Sequence, residues 1–343
     1  MPLSKVAFED KGFECFDEVR NVVDAVIIGG GPCGLAAAIA CQEKGLSAVV
    51  VEKENIVHSI YRYPTHQTFF STSERLEIGG VPFIVEDRKP RRNQALVYYR
   101  NVAKLKRLHI RAFEKVLRVV KRADRSFEVT TTKGTLDAKH VIVATGYYDS
   151  PNMMGIPGED KSHVMHYFKE AHPYFDHDVV VIGGKNSAVD AALELEKAGA
   201  RVTMLYRGSD YSASVKPWIL PELVSLVRNE KIKLAFHADV YEITDSHVHY
   251  RIGKQEHKAK AQFVFAMTGY HPDHSFIRSL GVHVDEATGR PVYDEQTMET
   301  NVEGIFIAGV IAAGNNANEI FIENGRLHGP LIAQAIARRI EME

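Results

Sequence analysis

The same strand–turn–helix pattern occurs twice in this chain of 343 residues, 154 positions apart. The first copy consists of the apolar run 25–28, a glycine-rich turn, an alanine-rich helical stretch and a second apolar run, 48–51. The second copy consists of the run 179–182, a turn, a helical stretch and the run 202–205. Short apolar runs of this kind are typical of buried parallel strands. The repeat therefore predicts two Rossmann-like units in one α/β protein.

A second pair of matching segments supports the two-unit interpretation. Val-Ile-Val-Ala-Thr-Gly-Tyr at 141–147 corresponds to Val-Phe-Ala-Met-Thr-Gly-Tyr at 264–270. Each predicts a buried strand that closes its own unit. Alternating residues between these markers, such as 127–131, predict a small antiparallel meander.

The turn of the first unit has the spacing of a phosphate-binding loop. Gly29, Gly31 and Gly34 form a G-x-G-x-x-G sequence between a predicted strand and a predicted helix. In such loops the first glycine permits the tight turn, the second lets the backbone approach a pyrophosphate, and the third lets helix and strand pack closely. Glu52 ends the next strand, where a carboxylate accepts hydrogen bonds from an unphosphorylated ribose. These features predict FAD or NAD, rather than NADP, in the first unit.

The turn of the second unit departs from this spacing. Gly183 and Ala188 keep the first and third positions, but Lys185 replaces the second glycine. The next strand ends without an acid, and Tyr206 is followed by Arg207. A guanidinium matches the geometry of a ribose 2′-phosphate, which a carboxylate would repel. The second unit is therefore predicted to bind NADPH; the alternative is that Arg207 is an ordinary surface arginine.

Composition excludes several other classes of function. A formal net charge of −2 gives no basis for binding nucleic acid or acidic membranes. The apolar stretch 22–40 contains Asp24 and a glycine-rich turn, which argue against a membrane span. Three cysteines, Cys15, Cys33 and Cys41, are too few for a disulfide framework and indicate a reducing compartment, the cytoplasm. The histidines show no metal-ligand spacing, so no metal is predicted.

The arrangement of the two turns resembles the thioredoxin-reductase-like flavoproteins over nearly the whole chain. Residues 300–309, Thr-Asn-Val-Glu-Gly-Ile-Phe-Ile-Ala-Gly, are similar to the strand with which that family returns to its flavin. The resemblance implies a flavin ring against the N-terminus of the last helix, near 318–321. Two features differ from that family. The segment 166–173 stands where the family has its redox Cys-x-x-Cys, and Val310 stands where the family has an aspartate. An ordinary thioredoxin reductase is thereby excluded.

Further motifs are similar to those of the bacillithiol-disulfide reductase (bacilliredoxin reductase) family. They include both differences just named and lie at 29–35, 59–61, 63–70, 183–188, 216–218 and 309–315. This resemblance implies FAD as prosthetic group, NADPH as hydride donor, and bacillithiol disulfide or a bacilliredoxin mixed disulfide as acceptor. It also implies a homodimer or homotetramer in the bacterial cytoplasm.

The repeat and the resemblance together predict how the chain is divided. Two Rossmann-like dinucleotide-binding domains in a thioredoxin-reductase-like α/β fold suit a chain of this length. We expect an FAD-binding domain at 22–152 and 273–343, with an NADPH-binding domain inserted at 153–272. Residues 1–21 have no counterpart in the repeat and are predicted to form an N-terminal extension.

The predicted site residues come from these motifs. For FAD they are Gly29, Gly31, Pro32, Cys33, Gly34, Glu52, Lys53, Tyr61, His66, Val116, Thr145, Gly146, Gly309, Val310 and Ile320. For NADPH they are Gly183, Lys185, Asn186, Ser187, Ala188, Tyr206, Arg207, Thr268 and Gly269. Cys33 and His66 are also the predicted catalytic residues.

Cys33 is predicted to take part in the chemistry. It lies in the first turn of a helix, whose N-terminus stabilises thiolate over thiol and should lower the pKa of the thiol. From the residues alone, the alternative is a small residue that merely fits the turn; the family resemblance favours a redox cysteine. We expect its thiolate to form a mixed disulfide with one half of the substrate. His66 is the candidate proton shuttle, the alternative being a loop hydrogen bond.

Three other functions share some of these features. A thioredoxin-reductase-like ferredoxin–NADP reductase also lacks the dithiol, but it needs a basic docking surface that the net charge does not indicate. A flavin monooxygenase shares the glycine turns and has some likeness to segment 61–70. A redox sensor without turnover would use Cys33 as its oxidisable thiol.

Overall fold

The computed structural model describes residues 22–316 and 318–342, and Cys15 lies outside them. Its first sheet has seven strands in the order β3-β2-β1-β6-β5-β4, with β15 paired to β6. Strands β1, β2, β3, β6 and β15 run parallel, whereas β4, β5 and β6 form an antiparallel meander that confirms the one predicted around 127–131. Their bounds are β1 Val23–Ile28, β2 Ala48–Val51, β3 Ile110–Arg111, β4 Val116–Lys121, β5 Phe127–Thr131, β6 Gly134–Val143 and β15 Ile305–Ile307.

A second sheet and a small hairpin sheet come from the middle of the chain. The second sheet is entirely parallel, in the order β10-β9-β8-β14-β7. Its strands are β7 Val164–Met165, β8 Asp178–Ile182, β9 Arg201–Leu205, β10 Ile232–Ala235 and β14 Phe263–Ala266. The antiparallel hairpin sheet consists of β11 Asp239–Ile243, β12 His247–Ile252 and β13 Gln255–Lys260.

Helices connect these strands and cover the sheets. They are α1 Pro32–Glu43, α2 His58–Arg62, α3 Arg92–Leu105, α4 Asn186–Lys197, α5 Leu220–Arg228, α6 His274–Ser279, α7 Ile322–Gly325 and α8 His328–Met342. Short 3-10 turns occupy Ser73–Leu76, His172–Tyr174 and Val310–Ala313. In the part of the chain that the structure describes, we find no helix with the length and apolar character needed to cross a bilayer.

The pairing registers confirm the predicted repeat. β1 pairs with β2 in the register in which β8 pairs with β9, shifted by the same 154 positions found in the sequence. The closing strands β6 and β14 also meet β1 and β8 in equivalent registers. The corresponding pairs are Ala25 with Ala48, Val179 with Val202, Ile28 with Val143, and Ile182 with Ala266.

Helix α1 is buried on every side because it lies between the first sheet and the C-terminal helices α7 and α8. Its small side chains allow a close crossing with α8. A Cβ added at Gly329 would lie 2.7 Å from the Ala37 Cα, so the two helices touch through their backbones. Cys41 is fully buried on this helix. The packing holds the N-terminus of α1 rigidly beside the first glycine turn.

Candidate active site and cofactor cradles

A single cavity of about 1250 Å³ joins the two glycine turns. Each turn follows the carboxyl end of an inner strand, β1 or β8, that has parallel neighbours on both sides, which is where open α/β sheets bind ligands. The wall includes Gly31 and Glu52 from the first turn region and Lys185 and Arg207 from the second. Two dinucleotides can therefore meet in one space.

The first turn can be built only with glycine at two of its positions. Gly29 has a φ of +110°, and a Cβ there would lie 2.5 Å from the Ala144 carbonyl oxygen. A Cβ on Gly34 would lie 2.0 Å from the Gly29 oxygen. Gly29 N–H donates to the Val51 oxygen at 2.9 Å, which closes the turn against β2. The predicted reasons for the first and third glycines agree with this geometry.

Gly31 has a different role, because a Cβ added to it would meet no atom within 4 Å. Its backbone is extended, with a φ of −73°, so the position does not require glycine for its conformation. The empty space lies at the N-terminus of α1, where backbone N–H groups lack helical partners and attract phosphate. This cradle fits the pyrophosphate of FAD.

Glu52 is held in place for a ribose. Its Oε2 accepts from the Gly30 N–H at 2.7 Å, and its Oε1 accepts from the Glu54 N–H at 2.9 Å. The side chain is buried at the cavity wall. Each oxygen keeps a lone pair for a hydroxyl donor, since a carboxylate has about four acceptor sites. The carboxylate suits the adenosine ribose of FAD and would repel a 2′-phosphate.

The second turn repeats the geometry of the first with different chemistry at its end. Gly183 has a φ of +134°, and a Cβ there would lie 2.5 Å from the Met267 oxygen. Lys185 and Arg207 are exposed at the cavity wall, and neither forms an ion pair within residues 22–316 and 318–342. Two cations without protein counter-charges fit the phosphates of NADPH.

Cys33 lies at the wall, but its thiol packs inward. A Cβ added at Gly309 would be 3.0 Å from the Cys33 Sγ, and one at Gly325 would be 2.9 Å away. Burial raises the pKa of the Cys33 thiol to about 12. The expectation that the helix N-terminus lowers this pKa is therefore wrong, because the C-terminal segment encloses the sulfur and removes the water that would stabilise a thiolate.

We expect Cys33 to react with iodoacetamide at neutral pH about 100-fold more slowly than free cysteine, because a raised pKa leaves little thiolate. The rate is measured by mass spectrometry of the peptide that contains Cys33, with free cysteine as reference. Alkylation at the rate of free cysteine would show that the thiol is ionised in solution.

His66 and Tyr61 do not line the cavity. The His66 Nδ1 lies 3.9 Å from the Glu194 Oε2, and its ring contacts Phe168 edge-on. Burial lowers the pKa of His66, against the opposing effect of Glu194. This placement does not support direct proton transfer from His66 to a ligand in the cavity. Tyr61 is exposed and lies under the Arg92 guanidinium instead.

The remaining predicted site residues do line the cavity, apart from Gly34, which lies behind the wall. The last helix, α8, begins at His328 rather than near 318–321, and the short helix α7 precedes it at Ile322. Ile320 lies on the cavity wall just before α7. Within residues 22–316 and 318–342, no three or more His, Cys, Asp or Glu side chains are placed to hold a metal ion.

The sequence did not indicate an ionic and aromatic cluster between the two units. Asp149 binds Lys53 at 2.9 Å and Arg62 at 2.8 Å. The Arg62 guanidinium lies 3.8 Å from the centre of the Tyr167 ring, which stacks on Tyr270 at 5.3 Å. The only available signal was the position of Asp149, three residues after the Thr-Gly pair that follows β6. The predicted ligand Lys53 is thus positioned by Asp149.

Asp190 is a second residue that sequence reasoning missed. It lies on α4 and faces the cavity. Burial and then the nearby Glu194 raise its pKa to about 6. A carboxyl group whose pKa is higher in the folded than in the unfolded state lowers the free energy of unfolding once it is ionised. This loss grows as the pH rises from about 4 to about 6 and stays at its full value at higher pH.

Asp190→Asn should therefore raise the free energy of unfolding of the nucleotide-free protein by roughly 1–3 kcal/mol at pH 8. The gain should shrink at pH 5, where wild-type Asp190 is mostly protonated. Urea unfolding at both pH values tests this, with Glu286→Gln at an exposed surface position as control. An equal gain at both pH values would refute the assigned ionisation.

Comparisons with known proteins agree with this site. A family model described as pyridine nucleotide-disulphide oxidoreductase matches residues 26–309. Bacilliredoxin reductase Bdr of Bacillus subtilis (strain 168) is 63% identical over 316 residues, covering 92% of this chain and 98% of that protein. The solved structure of bacillithiol disulfide reductase Bdr (YpdA) from Bacillus cereus has a TM-score of 0.91 at 62% identity, covering 93% of this chain and 100% of that one.

A more distant structure, the thioredoxin reductase of T. acidophilum, has a TM-score of 0.75 at 23% identity and covers 93% of this chain and 99% of that one. It confirms the predicted thioredoxin-reductase-like fold. The family model covers most of the chain, and the Bacillus relatives share well over half of its residues. The chain therefore belongs to the pyridine nucleotide-disulphide oxidoreductase family, as a member of its bacilliredoxin reductase group.

Proposed function

We propose that this enzyme uses NADPH to reduce bacillithiol disulfide, or the mixed disulfide of a bacilliredoxin, to thiols. The observation that carries the proposal is the single cavity that joins the first glycine turn, with Glu52 at the end of its second strand, to the second glycine turn, with Arg207 in the equivalent region. An oxidoreductase of this family, with FAD and NADPH as its cofactors, needs that arrangement. The names of the two Bacillus relatives supply the acceptor.

We assign the cofactors to the two parts of the chain predicted from the sequence. Residues 22–152 and 273–343 contain β1–β6 and β15 and would hold FAD; residues 153–272 contain β7–β14 and would hold NADPH. Gly31 and the start of α1 would bind the pyrophosphate of FAD, and Glu52 its ribose. Arg207 would bind the 2′-phosphate of NADPH. Residues 1–21 keep their predicted status as an extension.

When bound between these residues, FAD would supply the chemistry that the protein side chains lack, namely hydride acceptance from NADPH and transfer of an electron pair to the disulfide. NADPH, one proton and the disulfide yield NADP⁺ and two thiols, so the bond broken is S–S. The contribution of the protein is to align the two nucleotides in one enclosed space. The Arg62 guanidinium, paired with Asp149, contacts the Tyr167 ring of the other unit at this place.

The raised pKa of the Cys33 thiol means that little thiolate is present in the resting protein. Cys33 nevertheless lines the cavity, and we propose, as predicted from the sequence, that the electrons reach the disulfide via this residue. Cys33→Ser should then lose most disulfide reduction while keeping normal FAD content and normal flavin reduction by NADPH. Reduction of bacillithiol disulfide at the wild-type kcat in Cys33→Ser would remove Cys33 from the redox role.

The function is tested by anaerobic NADPH oxidation with bacillithiol disulfide, cystine and ferredoxin in parallel, and with oxygen in a separate aerobic assay. Preferential turnover with bacillithiol disulfide, giving two thiols for each NADPH, is the expected result. Turnover with ferredoxin alone would indicate a ferredoxin–NADP reductase. An oxygenated product formed with NADPH would indicate a monooxygenase, and no turnover with any acceptor would indicate a sensor.

The cellular setting follows from the same proposal. A reductase that keeps small thiols reduced works in a reducing compartment, so we place it in the bacterial cytoplasm. A homodimer or homotetramer remains our expectation for its assembly. Size-exclusion chromatography with light scattering would measure the assembly directly.

A further inference from the structure

Two lysines and three aromatic rings meet at the mouth of the cavity, and we call this group the cationic rim. It consists of Phe70, Lys89, Lys216, Trp218 and Phe321. The Lys89 Nζ lies 4.2 Å from the centre of the Trp218 ring. The Lys216 Nζ lies 5.6 Å from the ring centre of Phe70 and 5.9 Å from that of Phe321. Phe70 contacts Trp218 edge-on at 5.9 Å, which makes the group continuous.

The rim is accessible and opens on the reaction space. Trp218 is 54% exposed, and Phe70 and Phe321 are 37% and 39% exposed. Phe70 and Phe321 also line the cavity that joins the two cradles. Contiguous exposed aromatic side chains at the edge of a cavity are a feature of ligand-binding surfaces.

The ammonium groups of the rim have no protein counter-charge. Within residues 22–316 and 318–342, neither Lys89 nor Lys216 forms an ion pair with a carboxylate. Glu323 lines the same cavity, but its Oε1 accepts a hydrogen bond from the Ser71 hydroxyl at 2.7 Å. The two lysines are therefore available to an anion that comes from solution.

The backbone of Lys216 is held in place by the side chain of Asn186. Lys216 N–H donates to the Asn186 Oδ1 at 2.9 Å, and the Asn186 Nδ2 donates to the Ser214 oxygen at 2.9 Å. Asn186 begins α4, directly after the second glycine turn. The loop that carries Lys216 and Trp218 is thus tied to the NADPH cradle, while Phe70, Lys89 and Phe321 belong to the part assigned to FAD.

We propose that the cationic rim binds the carboxylates of an anionic low-molecular-weight disulfide and so places its S–S bond in the cavity. The ammonium groups supply charge complementarity, and the rings supply an apolar surface for the organic body of the ligand. The inference deepens the proposed function, on which it rests for the nature of the acceptor. The rim is separate from the 2′-phosphate site, which we assign to Arg207.

Trp218 provides a direct readout, because it is the only tryptophan of the chain. The oxidised holoenzyme, without NADPH, is titrated with dithiodiglycolate, which is anionic, with neutral bis(2-hydroxyethyl) disulfide and with cationic cystamine. We expect a saturable change in Trp218 fluorescence with dithiodiglycolate and much weaker binding of the other two. Equal affinity for all three disulfides, or no binding of dithiodiglycolate, would overturn the proposal.

Substitution of both lysines tests the residues themselves. K89M/K216M should bind dithiodiglycolate roughly 2- to 30-fold more weakly, since each exposed ion pair contributes about 0.2–1 kcal/mol. Lys216→Arg should retain most of the affinity, and Lys254→Met, at an exposed hairpin position, should bind as wild type does. Unchanged affinity of K89M/K216M for dithiodiglycolate would exclude the rim as the binding site of the disulfide.

Steady-state kinetics separates this inference from the proposed function. With bacillithiol disulfide, K89M/K216M should raise the KM for the disulfide and leave kcat and the KM for NADPH unchanged. If the KM for NADPH rose and the KM for the disulfide did not change, the rim would be a binding site for the nucleotide, and the inference would be overturned. If wild type does not reduce bacillithiol disulfide at all, the proposed function fails, while the dithiodiglycolate titration still decides on the rim.

Discussion

Arg207→Ala will lower kcat/KM with NADPH by roughly 10- to 150-fold and leave kcat/KM with NADH nearly unchanged. Arg207 is exposed at the cavity wall directly after β9, without a carboxylate partner in the part of the chain described by the structure. A charge-assisted hydrogen bond to a 2′-phosphate contributes about 1.5–3 kcal/mol, which is lost when the guanidinium is removed. NADH has no 2′-phosphate and cannot make this bond.

The measurement compares initial rates with both nucleotides at several concentrations, so that kcat and KM are separated. Arg228→Ala is a matched control, because Arg228 is an exposed arginine at the end of α5 and does not line the cavity. It should behave as wild type with both nucleotides. Equal losses with NADPH and NADH in Arg207→Ala would remove Arg207 from the 2′-phosphate site.

Gly31→Val will fold normally and fail to hold FAD. The valine side chain would project into the space at the start of α1 where the pyrophosphate must lie, and the extended backbone accepts any residue. Overpacking of this kind costs about 1–3 kcal/mol in a protein core. Because the pyrophosphate cannot shift without losing the N–H groups of the helix, we expect the affinity for FAD to fall by about 100-fold or more.

Two further variants make this result interpretable. Gly31→Ala should weaken FAD binding less, and nucleotide-free Gly31→Val should unfold at the wild-type temperature because no atom lies within 4 Å of the added Cβ. Gly34→Val, in contrast, should destabilise the fold itself, since its Cβ would lie 2.0 Å from the Gly29 oxygen. Gly31→Val protein that purifies with a full complement of FAD would contradict the assigned cradle.

Local patterns predicted the parts of the site that lie within one strand–turn–helix unit. The glycine spacing and the residues at the ends of β2 and β9 correctly predicted where Glu52 and Arg207 line the cavity, because each follows its turn at a fixed distance. The shared registers of the two sheets follow from the same repeat. The ends of the strands were predicted less exactly, since β1 begins at Val23 and the predicted run began at residue 25.

Contacts between distant segments could not be predicted. The pKa of Cys33 was misjudged because the helix N-terminus is visible in the sequence, whereas enclosure by Gly309 and Gly325 is not. Lys89 and Trp218 meet only once both units are folded. His66 was expected near the flavin but lies against Glu194 on α4, since a loop residue can face either unit.

The two-nucleotide assignment is tested most directly by an anaerobic titration of the purified holoenzyme, followed by the yellow absorbance of its flavin. We predict that one equivalent of NADPH per chain bleaches this absorbance and that one equivalent of bacillithiol disulfide then restores it. A protein that contains no flavin, or whose flavin is not bleached by NADPH, would contradict the presence of two communicating nucleotide sites.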